Sequence, residues 1–170
     1  YYNIYLNAFL PADQIDPVNR GLFIERTYYD ASCIEDCQPL TTISMGQQVR
    51  VELNIVAEED ILYAVIEDPL PSGAEAIDPN LNSNQDGRFA PEQTYQRGYW
   101  GWWYFNRVEF RDELVRFTAN YLPKGSYQYT YYMQATIPGT YQVMPTFGFA
   151  EYYPEVNGRS PGLIFTITEE

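Results

Sequence analysis

The sequence contains no histidine, a single lysine (Lys124) and no apolar run long enough to cross a membrane. Histidine is the usual general base and a common zinc ligand, so its absence excludes Ser-His-Asp and Cys-His catalysis and the ordinary zinc sites. Acidic residues that adjoin one another in the sequence fall in predicted turns, where carboxylates are ordinarily solvated and do not form a catalytic pair. The sequence therefore predicts a domain that is not an enzyme and that carries no catalytic residues, no metal and no cofactor.

Basic residues are also scarce. The chain has 23 acidic residues and only 10 basic ones, so its formal net charge is −13. Such a surface repels the phosphates of nucleic acids and of anionic lipids. We therefore expect no nucleic-acid partner and no direct membrane insertion. An acidic excess of this size is usually a solubility device and is common on domains outside the cytoplasm.

Cysteine is rare as well, and the only two, Cys33 and Cys37, lie in the polar segment SCIEDCQP between two apolar runs. Their short spacing favours a disulfide within this loop. A disulfide would point to an oxidising compartment, so we expect an extracytoplasmic location, which means the cell surface, the periplasm or secretion.

The chain has no initiating Met and no signal peptide, and it opens directly on strand-like residues at Tyr1 and Tyr2. Its 170 residues suit one domain with a sizeable core. We interpret residues 1–170 as a single domain that is a fragment of a much larger protein, with the targeting signal upstream.

What the sequence does contain favours strands. Tyr, Phe, Trp, Val, Ile and Thr are frequent, and runs of strong helix formers are missing. The clearest alternation spans 47–57, where polar residues such as Arg50 and Glu52 separate an apolar set that we expect to point inward. That set is Val49, Val51, Leu53 and Ile55. Eight to ten short strands separated by turn residues predict an all-β sandwich of two antiparallel sheets.

Residues 72–97 are polar, rich in Asn, Pro and Gly, and show no sustained period, so we expect a long polar loop there. Within it, the segment 78–87 is rich in side-chain oxygens, and its residues 82–87 imitate the start of a calcium-binding loop. Asn82 stands where such a loop begins with Asp, and Gln93 stands where a bidentate Glu is needed. A polar loop without calcium is the favoured interpretation, and calcium binding by 78–87 remains an open alternative.

The block GYWGWWYF begins at Gly98 and carries Trp100, Trp102 and Trp103. In an extended strand these aromatics lie on both faces, whereas a sugar-binding platform needs only one aromatic face. We favour burial of the block in the sandwich. An aromatic contact with another domain and stacking on a carbohydrate are the alternatives.

Several segments carry a resemblance to a known family. They are YAVIEDPLPSGAEAIDPNL (63–81), VEFRDELVRFTANYLPKGSYQYTYYMQATIPGTYQVMP (108–145) and AEYYPEVNGRSPG (150–162), with weaker matches in GLFIERTYYD (21–30) and GQQVRVELNI (46–55). In their order and spacing they resemble the C-terminal macroglobulin-like domain of bacterial alpha-2-macroglobulins. The resemblance covers most of the chain.

The resemblance implies a macroglobulin-like sandwich related to the immunoglobulin fold, and a module of a protease trap that acts as an endopeptidase inhibitor. In such traps a separate thioester domain captures the protease, and the final domain packs against it. The partners implied are thus other domains of the same chain, especially a thioester domain, and indirectly the trapped proteases. The Cys-x-x-Gln of a thioester is absent here, since Asp36 and Leu40 stand three positions after the cysteines.

By the same resemblance, Tyr152, Tyr153 and Pro154 form the segment that shields the thioester from water, although relatives often have Met where this chain has Tyr152. The alternative is that both tyrosines merely cap the sandwich. Two other function classes remain open, an extracellular carbohydrate-binding module and an adhesion or scaffolding domain. A Cys-x-x-Gln in a helical domain just upstream would favour the trap.

Overall fold

The computed structural model describes residues 2, 4–5, 8–81, 90, 92–95 and 104–169. Within these residues the chain is almost entirely β, apart from a short 3-10 turn at Ala12–Gln14. The strands are β1 (Val18–Arg20), β2 (Leu22–Asp30), β3 (Thr42–Ser44), β4 (Gln48–Ala57), β5 (Ile61–Pro69), β6 (Ala74–Ala76), β7 (Glu92–Tyr95), β8 (Arg107–Phe110), β9 (Leu114–Leu122), β10 (Gly125–Ala135), β11 (Gly139–Val143), β12 (Phe147–Ala150), β13 (Tyr153–Arg159) and β14 (Leu163–Thr168). No described helix is long and apolar enough to span a bilayer.

The strands form two large sheets and one small one. The first has the order β1-β13-β12-β5-β9-β8, and the second has the order β2-β4-β10-β6, with β7 also paired to β10. The third, β11-β14-β3, contains the parallel pair β14–β3, whereas the strand pairings of the two large sheets are antiparallel. Buried residues of all three sheets join in one core. The predicted all-β antiparallel sandwich is confirmed, with the small sheet as an addition.

The alternation predicted for 47–57 is confirmed on β4. Its inward set is buried, and Arg50 and Glu52 on the other face are half-buried. Paired strands share the same buried face, so the alternation of β4 also determines which residues of the neighbouring strands point inward. Accordingly β10 faces the same core through Tyr127, Tyr129 and Tyr131.

Aromatic rings fill the space between the two large sheets. Phe117 of β9 lies with its ring centroid 4.3 Å from that of Tyr129 on β10 and 5.9 Å from that of Phe105. These pairs have edge-to-face geometry, which the charge distribution of aromatic rings favours. Phe105 is therefore part of the core, and Tyr104 beside it is partly buried against that core.

A buried polar cluster also connects the sheets. Asp68 of β5 is fully buried and accepts hydrogen bonds from Arg26 of β2 (2.7 Å), Tyr131 (2.7 Å) and Thr146 (2.7 Å). Arg26 also donates to the carbonyls of Pro69 and Met144. A buried charge is tolerated only when it is paired and hydrogen-bonded in this way. The alternating pattern does not reveal that Asp68 points inward, because an Asp before a Pro usually indicates a strand end.

The stretch 72–97 is not loop throughout. Ala74–Ala76 and Glu92–Tyr95 form β6 and β7, and both pair with β10. Strands of three or four residues are too short to show a period, and their pairing is dictated by the backbone groups of β10 that need partners. The expectation of an uninterrupted loop is therefore corrected for these two short segments.

Two glycines allow the β12–β13 hairpin to lie close to β2. A Cβ at Gly158 would lie 1.7 Å from the carbonyl oxygen of Leu22, and one at Gly148 would lie 2.5 Å from the Leu22 side chain. Only glycine permits this close approach of backbone to backbone. The hairpin that carries the candidate site is thus held firmly on the sandwich.

Candidate functional site

The turn between β12 and β13 consists of Glu151 and Tyr152, and it projects from one end of the sandwich. Ala150 and Tyr153 pair across the turn, with Ala150 buried and Tyr153 exposed. From Glu151 to Glu155 every residue is exposed. The segment that the family resemblance singled out therefore lies on the surface, and the sandwich core does not bury it.

A bulge follows the turn on β13. Asn157 pairs with Phe149, but the next partner pair is Tyr153 and Ala150, so three residues of β13 have no partner on β12. Pro154 lies within this bulge, where its missing N–H costs no ladder bond. The Asn157 side chain donates to the Pro154 carbonyl at 2.7 Å. The bulge and this bond fix the orientation of Tyr153 and Pro154 at the start of β13.

Tyr63 of β5 supports the turn from the neighbouring strand. Its carbonyl accepts a hydrogen bond from the Glu151 N–H at 3.0 Å, and its ring meets the Tyr152 ring edge to face with centroids 5.1 Å apart. Tyr63 has a φ of 53°, which is the left-handed region. A bulky residue in this region is strained, and such strain is often found at functional sites.

The left-handed residue changes the phase of the strand. Ile61 and Ala64 are both buried, and the two consecutive residues between them, Leu62 and Tyr63, are both exposed. The paired strand β9 does the same, because Asn120 and Tyr121 are both exposed between buried neighbours. Leu62 pairs directly with Tyr121. In a regular strand buried and exposed residues alternate. Because the alternation is interrupted on both β5 and β9, additional apolar side chains are exposed at the same end of the sandwich.

Asp60 fixes the position of Tyr121. One Asp60 oxygen accepts from the Tyr121 hydroxyl at 2.7 Å, and the other accepts from the Lys124 N–H at 2.8 Å. The bond from the Lys124 backbone, followed by the bond from Tyr121, lowers the pKa of Asp60 below its ordinary value. Asp60 is therefore a stable negative charge at neutral pH next to the exposed ring.

We call this end of the molecule the Tyr152 surface, and it comprises Leu62, Tyr63, Tyr121, Tyr152 and Tyr153. Its members are between 45% and 68% exposed. Large apolar side chains exposed in contact with one another generally mark an interaction site. The described residues contain no cluster of three or more His, Cys, Asp and Glu able to hold a metal ion.

The structure brings together the residues that sequence reasoning named, Tyr152, Tyr153 and Pro154, and adds three that it missed. Leu62 and Tyr63 belong to β5, whose sequence is apolar on both faces, so its pattern does not show which residues are exposed, and Tyr121 lies in β9, which alternates regularly up to Ala119. The only signal is the pair Asn120-Tyr121 between Ala119 and Leu122, which interrupts an otherwise regular alternation.

The other predicted sites lie elsewhere. Cys33 and Cys37 are joined by a disulfide in an exposed loop, which Arg50 anchors by donating to the Cys33 carbonyl at 2.8 Å. Trp100, Trp102 and Trp103 lie outside the described residues, as does most of the calcium-like segment 78–87. At the described start of that segment, Asp78 accepts hydrogen bonds from the backbone and the side chain of Asn80. Carbohydrate stacking and calcium binding therefore remain hypotheses.

Comparison with known proteins agrees with this description. The family model for the bacterial alpha-2-macroglobulin MG10 domain matches residues 21–155. An alpha-2-macroglobulin homolog of Nostoc sp. is 27% identical over 133 residues, which is 78% of this chain and 6% of the relative. This chain thus spans a small part of that relative's length.

Solved structures show the same fold. Trypsin-activated alpha-2-macroglobulin from Escherichia coli superposes with a TM-score of 0.70 at 20% identity, over 91% of this chain and 11% of the other. Salmonella alpha-2-macroglobulin reacted with methylamine gives a TM-score of 0.66 at 23% identity, over 91% of this chain and 10% of the other. With the family model matching most of its length, this chain belongs to the bacterial alpha-2-macroglobulin MG10 domain family.

Proposed function

We propose that this domain is a non-catalytic module of a bacterial protease trap, and that its Tyr152 surface packs against a thioester domain of the same chain and shields the thioester from water. The observation that carries the proposal is the group of exposed aromatic residues around the β12–β13 turn, in which the Tyr63 ring supports that of Tyr152. A domain that worked alone would gain nothing from leaving these rings in water, and burying them would be favourable.

The chemistry of a thioester explains why such a face would be needed. Water hydrolyses a reactive thioester, so a site that excludes water lengthens its lifetime. The Tyr152 ring projects from a turn that is fixed by the Glu151 hydrogen bond to Tyr63 and by the bulge around Pro154. A ring held in this way covers a reactive bond without needing chemistry of its own, which fits a chain that has no histidine.

The relatives support this role. The Salmonella protein reacts with methylamine, and the E. coli protein is activated by trypsin. An amine-reactive group and a response to a protease are the properties that a thioester-containing trap would have. The disulfide between Cys33 and Cys37 is consistent with an extracytoplasmic location for the parent.

The test uses the full-length parent, provided that its sequence contains the Cys-x-x-Gln of a thioester. Tyr152→Gly should shorten the lifetime of the amine-reactive thioester several-fold, because water then reaches the bond. Tyr152→Phe keeps the ring and serves as the matched control, with a lifetime close to that of the wild type. The measurement is the rate at which a free thiol appears on incubation in buffer, followed by the fraction that still reacts with methylamine. An unchanged lifetime in Tyr152→Gly would show that Tyr152 only caps the sandwich.

A further inference from the structure

A cavity of about 200 Å³ opens beside the Tyr152 surface, between the start of β5 and the β12–β13 hairpin. Leu62, Ala150 and Val156 supply apolar walls, and Tyr153 forms one side. Leu62 and Tyr153 thus belong both to the cavity and to the Tyr152 surface. Whatever covers that surface is also positioned to enter the cavity.

Two carboxylates lie at this cavity. Glu59 and Asp60 line it, and both residues are exposed. The Asp60 oxygens accept one bond each from the Tyr121 hydroxyl and the Lys124 N–H, which leaves further lone pairs available. Glu59 is 3.9 Å from the Lys124 Nζ, and its side chain is 87% exposed, so this ion pair is loose. The cavity therefore combines an apolar interior with negative charge at its mouth.

Further carboxylates adjoin these residues in the chain. Glu58 precedes the two carboxylates, and Glu151 and Glu155 flank the tyrosine turn, all of them exposed. A partner that covered the Tyr152 surface with neutral or acidic groups would bring these carboxylates out of water without compensation. Complementary charge on the partner removes that cost and sets the orientation of docking.

We propose that the cavity receives a lysine or arginine side chain of the neighbouring thioester domain. The aliphatic stem of that side chain would pack on Leu62, Ala150 and Val156, and its cationic head would meet Glu59 and Asp60. Lysine and arginine are the residues that combine an apolar stem with a charged end. The assignment rests on the proposed function for the identity of the partner, and on the cavity and its charge for the chemistry.

The test is hydroxyl-radical footprinting of the full-length parent, which reports the solvent exposure of individual side chains. Leu62 is compared with Ile137, and Tyr121 with Phe147, because each pair has similar exposure in the domain and the two reference residues are not part of the Tyr152 surface or the cavity. Leu62 and Tyr121 should be oxidised several-fold more slowly than their references if a partner covers them.

Charge variants then test the chemistry of the occupant. Glu59→Lys brings two positive charges together at the mouth of the cavity, which is unfavourable, so the oxidation rate of Leu62 should rise to that of Ile137. Glu59→Gln is the matched control that removes charge without reversing it, and its loss of protection should be smaller. If Glu59→Lys leaves Leu62 as protected as in the wild type, a basic occupant is wrong.

The outcomes separate this inference from the proposed function. Protection of Tyr152 with Leu62 and Tyr121 fully reactive would overturn the occupied cavity and leave the shield intact. Full reactivity of all three would overturn both. Protection of Leu62 that Glu59→Lys abolishes would support the basic occupant, even if Tyr152→Gly leaves the thioester lifetime unchanged and the shield fails.

Discussion

Two groups of aromatic residues in this domain have opposite environments. Phe117, Tyr129 and Tyr131 lie between the large sheets and are buried, whereas Tyr63 and Tyr152 meet edge to face at the end of the sandwich and remain exposed. Both groups use the same ring geometry. Residue type therefore does not distinguish a structural aromatic from one available to a partner.

The phase of the strand makes the distinction. In the interior, regular alternation along β9 and β10 directs each ring toward the core. At the exposed end the alternation is broken on β5 and β9 together, and a bulge interrupts β13. Irregularities on three strands of the same sheet favour a role for this end in docking, since bulges commonly re-aim side chains at functional edges.

The largest difference between the two groups should appear at alkaline pH. Burial raises the pKa of Tyr129 and Tyr131 above the ordinary value, and also that of Tyr28, which is buried on β2. In the unfolded chain these hydroxyls ionise near pH 10, so their contribution to stability is complete below that pH and is lost as pH rises above it. The free energy of unfolding should fall by about 1.4 kcal/mol per pH unit for each of these tyrosines.

Urea titrations at a series of alkaline pH values would measure this fall, and tyrosinate absorbance would report ionisation. Ionisation of the buried group should coincide with the loss of circular dichroism. If every tyrosine of the domain ionised while the native signal remained, the assignment of these rings to a closed interior would be wrong.

Disruption of the buried polar cluster around Asp68 should have the next largest effect on stability. Asp68→Ala leaves Arg26 as a buried cation without its partner and removes the acceptor of the Tyr131 and Thr146 hydroxyls. The expected loss in the free energy of unfolding is about 3–5 kcal/mol. Glu67→Ala is the neighbouring control, because Glu67 makes a partly exposed pair with Arg116 at 3.5 Å whose loss should cost about 1 kcal/mol or less. Chemical denaturation that gives equal losses for both variants would contradict the structural role of Asp68.

The sequence predicts the interior better than the exposed end, for a physical reason. On β4 one face is wet, so Val49 and its apolar partners stand out against Arg50 and Glu52. On β5 both faces are apolar, and the left-handed Tyr63 that resets the phase carries no signature, because a bulky residue is not expected there. Tyr152 could be identified only through family resemblance. Its contact with Tyr63 depends on pairing between strands that are distant in sequence.

A smaller effect is expected from the loop that the disulfide closes. The entropy that a disulfide removes from the unfolded chain increases with loop length, and for the short Cys33–Cys37 loop it corresponds to only about 2 kcal/mol. The Cys33→Ser/Cys37→Ser double variant should therefore lose at most about this amount. Thiol titration of the unfolded, unreduced protein should detect no free cysteine. Detection of both thiols would reject the bond and weaken the extracytoplasmic placement.

The smallest effect should come from Tyr63, and its sign matters more than its size. Tyr63→Gly and Tyr63→Ala both remove the ring that meets Tyr152, so both lose the same contact. Only glycine adopts the left-handed backbone without a steric penalty, so Tyr63→Gly should be about 1 kcal/mol more stable than Tyr63→Ala. At an ordinary strand position the order is reversed, because glycine there is less stable than alanine. Urea denaturation of the two variants thus reports the backbone at this single residue. Greater stability of Tyr63→Ala would mean that the strand is regular at Tyr63, and the exposed tyrosine group would then lose the irregularity that distinguishes it from the core.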